Sequence, residues 1–390
     1  MLNTPFSPWP SFTDEEANAV RDVVLSNKVN YWTGQECREF EKEFAAWSGT
    51  EYAITLANGT VALDLALQAL GIAQGDEVVV TPRTFLASVS SIINAGAVPV
   101  FAEIDRDSQN ITAETIRAVL TSRTRAVICV HLAGWPCDMD PIMELAAEHN
   151  LKVIEDCAQA HGARYKGRPV GSIGHVGAWS FCQDKIMTTG GEGGMVTTND
   201  REIWSRMWSF KDHGKSWEAV YERQHAPGFR WLHESFGTNW RMLEMQAVIG
   251  RIQLKRMGDW QASRSANWQR ITEVAKGIKG LRVPSLPADI THAAYKCYVF
   301  VEPSQLKEEW NRDRILNAIA QSGVPCFSGS CSEVYLEKAF DNTPWRPAER
   351  LSVARELGET SLMFMVHPTL TKAEIEKTCE VLTQVMSDAV

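Results

Sequence analysis

Two residues carry the most pointed chemistry in the sequence. Asp156 closes the apolar run Val153-Ile154-Glu155-Asp156, and Lys185 follows Ser180-Phe181-Cys182-Gln183-Asp184. A lysine amine condenses with an aldehyde, and a carboxylate holds an aromatic ring nitrogen protonated. Together they are what an aldehyde cofactor with a pyridine ring requires of its protein. A lysine just past a short apolar strand is partly shielded from water, which favours the free amine. Taken singly, each has an ordinary explanation. Most lysines are surface cations, and a strand-end aspartate often caps the next turn.

Further candidates lie at similar places. Asn58-Gly59-Thr60 turns from a short strand into a helix, leaving backbone N–H groups and a positive helix end that suit a phosphate. A plain strand-to-helix turn would read the same way. Ser180 and Asn239 offer a hydroxyl and an amide for phosphate oxygens, or simply tie down loops. Phe85 is a ring able to stack on another ring, or a core phenylalanine. Gln159 and His161 follow Asp156 at i+3 and i+5, lining the same cavity or sitting satisfied in the core. Trp32 belongs to a turn, Asn30-Tyr31-Trp32-Thr33-Gly34, rich in ligand-touching groups. Arg83, Arg230 and Arg241 are available to an anionic substrate or to salt bridges.

The elements that must hold these residues alternate. Apolar runs of strand length recur near 52–57, 77–82, 99–105, 126–131, 151–156, 177–181 and 194–198. Helical spacing fills the gaps, with Ala62, Leu65, Ala66, Ala69 and Leu70 forming one face. Such alternation predicts an α/β fold: three αβα layers around a mostly parallel sheet, with ligands at the carboxyl ends of the strands. Residues 201–240 read as a long irregular loop that closes over something, and 242–257 as an amphipathic helix. The expected division is a large domain over 1–261, including an N-terminal arm, and a smaller α+β domain over 262–390. In the latter, a strand near 293–301 and helices over 313–322 and 371–386 are expected, the last opened by a capping box at Thr371-Lys372-Ala373-Glu374.

At 390 residues with a net charge of −9 and no block of basic residues, neither nucleic acid nor an anionic membrane is an expected partner. Nine scattered cysteines, without Cys-x-x-Cys or a Cys/His cluster, point to reduced thiols in a cytoplasmic protein and against a metal centre. No apolar run is long enough to span a bilayer, and no targeting signal is visible.

Four ordered blocks resemble a known family: YAITLANGTVALDLALQALGIAQGDEVVVTPRTFLAS, IEDCAQAHGA, GHVGAWSFCQDKIMTTGGEGGM and GTNWRMLEMQAVIGRIQL. They are similar to the signature blocks of DegT/StrS-type sugar aminotransferases, over a stretch from about Trp32 to Pro368. The resemblance implies an aspartate aminotransferase-like fold (fold type I) and pyridoxal 5′-phosphate (PLP) as cofactor. It implies that Lys185 bonds the cofactor, Asp156 partners the ring nitrogen, and Gly59, Thr60 and Ser180 hold the phosphate. Phe85 would stack on the ring, Gln159 would sit near its hydroxyl, and Asn239 would reach the phosphate of a neighbouring subunit in a homodimer. Trp32, His161 and Arg230 are the candidate substrate contacts.

The activity so implied is amination of a keto- or aldehydo-sugar by an amino acid, L-glutamate, in amino-sugar biosynthesis for surface polysaccharide or lipopolysaccharide. The acceptor is open between a nucleotide-linked 4-keto or 3-keto hexose and the C8 aldehyde of the acidic sugar Kdo. A PLP-dependent lyase or dehydratase and a non-enzymatic PLP-binding regulator are the rival readings. Two departures stand out: Gly190-Gly191 precedes Glu192 where relatives have one glycine, and CFSGSCSEVY lacks the aromatic-and-histidine pattern of nucleotide-sugar members.

Overall fold

The computed structural model of the chain describes residues 4–390. An N-terminal arm leads into α1 (Asp14–Leu25) and α2 (Glu36–Ser48). The Thr13 backbone N–H donates to Glu16 at the start of α1, tying up one of the donors a helix start leaves open. Then β1 (Tyr52–Leu56), α3 (Gly59–Ala69), β2 (Glu77–Val80), α4 (Ala87–Asn94), β3 (Val98–Phe101), α5 (Ala113–Arg117), β4 (Thr124–Val130), α6 (Met139–Glu148) and β5 (Lys152–Asp156) alternate. A small hairpin, β6 (Arg164–Tyr165) and β7 (Arg168–Pro169), precedes β8 (Val176–Ser180) and β9 (Gly194–Thr198).

Seven of these strands form one sheet in the order β1-β9-β8-β5-β4-β2-β3. Every pairing is parallel except those of β9, which runs antiparallel to β8 and β1. Val78, Val79 and Val80 are all fully buried, as expected of a parallel strand covered on both faces. Because β1, β8, β5, β4 and β2 point the same way, their carboxyl ends share one edge. Asn58–Gly59, Ser180, Asp156, His131 and Thr81–Phe85 therefore arrive together, and the α/β fold with its mostly parallel sheet is as the residue pattern implied.

Two segments differ from the sequence reading. The stretch 201–240 is not irregular throughout, because Arg201–Lys211 forms α7. Asp200 caps it by accepting from the Glu202 and Ile203 N–H groups, and Ile203, Met207 and Trp208 are buried. The expected helix over 242–257 is the first half of α8 (Glu244–Lys276), which continues without a break through residue 262. Leu254 and Met257 pack with Phe40, Phe44 and Trp179; Ile271 and Ala275 pack with Val299, Leu362 and Leu382. One rod thus serves two cores, and no linker marks the join.

Beyond α8 come β10 (Leu281–Arg282), β11 (Ile290–Thr291), β12 (Lys296–Val301), α9 (Arg312–Gln321), β13 (Cys326–Phe327), α10 (Ser352–Thr360), β14 (Ser361–Met365) and α11 (Lys372–Ala389). The four-stranded antiparallel sheet β10-β12-β14-β13 carries α9 and α11, and Thr371 and Glu374 cap α11 reciprocally. The turn after β2 is bolted to this unit: the Thr84 N–H donates to the Cys331 carbonyl at 3.1 Å, the Val334 N–H to that of Pro82 at 2.9 Å, and Arg83 Nη2 to Ser361 Oγ at 3.3 Å. No helix among the described residues is long and apolar enough to cross a membrane.

Glu155 anchors the sheet edge from below. Fully buried, it accepts from His131 Nε2 at 2.9 Å and from the backbone N–H groups of Gly171, Ile173 and Gly174 at 2.8, 2.8 and 2.6 Å. His131 Nδ1 accepts from the Cys137 N–H, so Nε2 carries the proton that Glu155 receives. Burial pushes the Glu155 carboxyl up, yet these bonds outweigh it and hold it below its ordinary 4.5. Its stabilising contribution is therefore present above that value and is lost as pH falls through the lower folded one. Glu155→Gln, which turns an amide group toward N–H donors, should cost roughly 3–5 kcal/mol at neutral pH. Urea unfolding should show the gap to wild type narrowing at acid pH, and a gap independent of pH would contradict the assignment.

Candidate active site

The strand-end edge collects most of the expected residues. Asp156 ends β5 and is buried; Oδ2 accepts from Ser88 Oγ at 2.8 Å and Oδ1 from the Ala158 N–H at 3.1 Å. Burial pushes its carboxyl above the ordinary 3.8, although those two bonds and the charge of Lys185 pull the other way. Its neighbour Glu155 has four donors and Asp156 has two. A buried carboxylate short of donors is stabilised by a cationic N–H, which a protonated pyridine supplies.

Lys185 sits in a turn closed by its own N–H to the Cys182 carbonyl at 3.1 Å. Its side chain is 17% exposed, with Nζ 3.9 Å from Asp184 Oδ1. The following loop is pinned to α8 by the Thr188 N–H, which donates to Gln253 Oε1 at 2.9 Å. Both glycines of that loop are required by its backbone: Gly190 and Gly191 have φ of 85° and 118°, a region costly for other residues.

The expected phosphate ligands come from two strand ends, those of β1 and β8. Asn58 Oδ1 accepts from the Val61 N–H at 3.0 Å, which leaves the Gly59 and Thr60 N–H groups, first in α3, without intrahelical acceptors. A Cβ at Gly59 would lie 2.5 Å from Ser180 Cβ, so only glycine lets the helix start and the β8 end come together. Phe85 is 72% exposed beside this edge, a ring with one face left for a ligand. Gln159 is buried, and its Oε1 accepts from the Ala133 N–H at 2.8 Å.

His161 is fully buried between Trp179 and Phe181, with ring centroids at 5.2 and 5.6 Å. Burial, then the charges of Lys185 and Arg264, push it down to about 3, so it is a neutral ring in this site. Among the described residues, Trp32, Asn239 and Arg230 make no hydrogen bond or ring contact with Asp156, Lys185 or Ser180. Trp32 packs in a separate aromatic nest, 6.1 Å from Trp208 and under the Lys215 amine at 4.1 Å. Asn239 and Arg230 lie exposed on the segment after α7. Of the other arginines, Arg241 is taken by Asp212 at 2.6 Å, and Arg83 is buried on Gln109 and Ser361.

Sequence reading missed Ser88, whose hydroxyl is itself 2.8 Å from Thr84 Oγ1. The i, i+4 spacing of Thr84 and Ser88 was the available signal. It also missed Tyr295, whose hydroxyl donates to Asp184, for which nothing local gave notice.

The sheet topology, with a donor-short aspartate and a lysine at one edge, fits a PLP-dependent enzyme, the residues present suiting the cofactor's ring nitrogen and phosphate, and the family match makes that enzyme an aminotransferase. The profile of the DegT/DnrJ/EryC1/StrS aminotransferase family matches residues 10–383. The chain is 34% identical over 385 residues to GDP-perosamine synthase of Escherichia coli O157:H7, covering 97% of this chain and 98% of that protein. It is 38% identical over 329 residues to dTDP-3-amino-3,4,6-trideoxy-alpha-D-glucose transaminase of Streptomyces venezuelae, covering 84% and 82%. An aminotransferase structure from Psychrobacter cryohalolentis superposes with a TM-score of 0.97 at 67% identity, covering 98% of this chain and 99% of that one. The chain belongs to the DegT/DnrJ/EryC1/StrS aminotransferase family.

If Gly59 is where phosphate, helix start and Ser180 meet, Gly59→Ala should leave the protein folded yet raise the PLP concentration for half-saturation about tenfold or more. Titration of the cofactor-free protein measures this; an unchanged midpoint would remove Gly59 from the cradle.

Proposed function

We propose that this sugar aminotransferase moves an amino group from L-glutamate to a keto- or aldehydo-sugar carrier intermediate in surface-polysaccharide or lipopolysaccharide biosynthesis. Sugar amination as such follows from the relatives, among them GDP-perosamine synthase and dTDP-3-amino-3,4,6-trideoxy-alpha-D-glucose transaminase. A nucleotide-linked 4-keto or 3-keto hexose is accordingly the proposed acceptor, ahead of the C8 aldehyde of Kdo. The observation that carries the reading is Asp156: 6% exposed, given two donors only, and within the electrostatic reach of Lys185.

Bound PLP supplies an aldehyde and an electron-accepting pyridine ring. Each residue then has a task of its own. Asp156, kept in place by Ser88 and the Ala158 N–H, holds a proton on the ring nitrogen. The Gly59 and Thr60 N–H groups and the Ser180 hydroxyl bind phosphate at the positive end of α3. Phe85 covers one face of the ring and excludes water from it. Lys185 Nζ would bond the cofactor aldehyde and, as a free amine, would take the proton from the donor Cα as general base and return it as acid. Gln159, held by the Ala133 N–H at its Oε1, would offer its amide to the ring hydroxyl.

A homodimer with shared sites accords with the surface of the segment after α7. Phe229, Trp231 and Phe236 are 77%, 80% and 98% exposed there, on the same stretch as Asn239, the residue proposed to reach the partner's phosphate. Large aromatics left bare in one stretch mark a surface that is covered in the assembly. All nine cysteines are unpaired, in keeping with a reducing compartment, the cytoplasm.

Lys185→Ala should abolish the visible absorbance of the lysine-bound cofactor and reduce amino transfer by a factor of ~10² or more. Retention of both would overturn the assignment. Separately, Phe236→Asp with Trp231→Asp should shift the protein toward monomer in analytical ultracentrifugation and lower activity in parallel, whereas a fully active monomer would refute the shared site.

A further inference from the structure

The start of β12 brings a second group of cations against the strand-end site. The Lys185 and Lys296 amines lie 5.4 and 4.7 Å from the centroid of one ring, that of Tyr295. Asp184, which accepts from the Tyr295 hydroxyl and lies 3.9 Å from Lys185, is the carboxylate nearest this pair. Lys296 makes no ion pair among the described residues; its amine meets only the Met365 thioether at 3.4 Å, a weak acceptor.

Arg264 of α8 stands behind them. It is 1% exposed, and its Nε and Nη2 find no hydrogen-bond partner. Its guanidinium lies 4.9 Å from the Trp9 ring, whose indole N–H donates to the Lys185 carbonyl at 2.8 Å. The ring face offsets part of the cost of burying this cation, but it occupies none of the N–H groups. Asp156, which feels the Lys185 charge, is engaged by Ser88 and the Ala158 N–H and assigned to the ring nitrogen, and the remaining neighbours bring no free anion. His161 and His367 are neutral, pushed down to about 3 and about 4 by burial first. Glu374 is engaged by Ser7 and Thr371, and the Tyr295 hydroxyl stays protonated. Burial also lowers Lys296 to about 8 and Arg264 to about 9, with each other's charge adding to the effect on Lys296. Lys296 and Arg264 thus have no carboxylate paired with either, and a buried guanidinium with idle donors is stabilised by an anion that can take them.

We propose that Lys296 and Arg264 form a seat for a substrate carboxylate beside Lys185, a subsite that rests on the aminotransferase reading above. Two substrates can supply that group: the amino acid donor, which has a carboxylate on the carbon that bears its amine, or an acidic sugar acceptor. The chemistry is shared, and the two sources are separable.

The test is isothermal titration of the PLP-loaded enzyme with unreactive probes: glutarate for the donor skeleton, glucuronate for an acidic sugar, and glutaramide as the uncharged control. Wild type should bind at least one carboxylate and not glutaramide. Lys296→Met should weaken that binding about tenfold with no change in thermal midpoint, and Lys296→Arg should restore it to within about threefold. Preference for glutarate assigns the seat to the donor, and preference for glucuronate to an acidic acceptor. Should Arg264→Met fail to fold, Lys296→Met at the half-buried strand start carries the test. Undiminished carboxylate binding by Lys296→Met, equal binding of glutaramide, or no carboxylate binding by wild type would overturn the seat. Loss of the visible cofactor band on adding L-glutamate to wild type reports the aminotransferase reading independently, so the two can fail separately.

Discussion

Two adjacent carboxylates at the end of one buried strand are asked to do opposite things, and the rest of the structure follows from how each is solvated. Successive residues of a strand face opposite sides, so Glu155 and Asp156 meet different surroundings one residue apart. Glu155 turns into the loop at 171–174 and receives four donors. Its charge is fully compensated and it stiffens the edge. Asp156 turns to the open side with two donors, and its protonation equilibrium is displaced upward in consequence. The chain accepts a poorly solvated charge where a cofactor needs one. This is the usual form of a trade between stability and function.

The parallel arrangement makes that trade possible. With β1, β8, β5, β4 and β2 codirectional, one sheet edge gathers a helix start, a serine, an aspartate and an aromatic turn from segments more than a hundred residues apart. None of these needs a long loop to reach the others, so the site inherits the rigidity of the sheet. The second unit closes the same edge from above. The residues of CFSGSCSEVY supply β13 and the Cys331 and Val334 contacts to the turn that presents Phe85. This block is therefore built into the wall of the site.

Much of this was legible in the residues themselves. Valine-rich runs with no alternation can only be doubly covered strands, and Asn58-Gly59 after such a run announces an open helix start. Lys185 and Asp156 stood out only in combination, since each residue type alone is far more often structural. Where reading failed, the determining interaction was distant or masked. Helix α7 was hidden because its tryptophans and serine blur the apolar stripe, although Asp200 is a good cap. The length of α8 was hidden because its buried face changes core midway, so no single stripe persists. Lys296 and Arg264 have no local signature at all, and Ser88 has only its spacing from Thr84. They become functional candidates only when α4, β12 and α8 are brought against the sheet edge, and the idle donors of Arg264 show only once its burial is known.

The central claim is that Asp156 sets the protonation of the cofactor ring. Nitrogen-15 spectroscopy of enzyme loaded with ring-labelled PLP reads that proton directly. The account predicts a protonated ring nitrogen in wild type from about pH 6 to 9, well above the titration of an unassisted pyridine, and loss of that proton in Asp156→Asn. The same nitrogen shift in both proteins would contradict it.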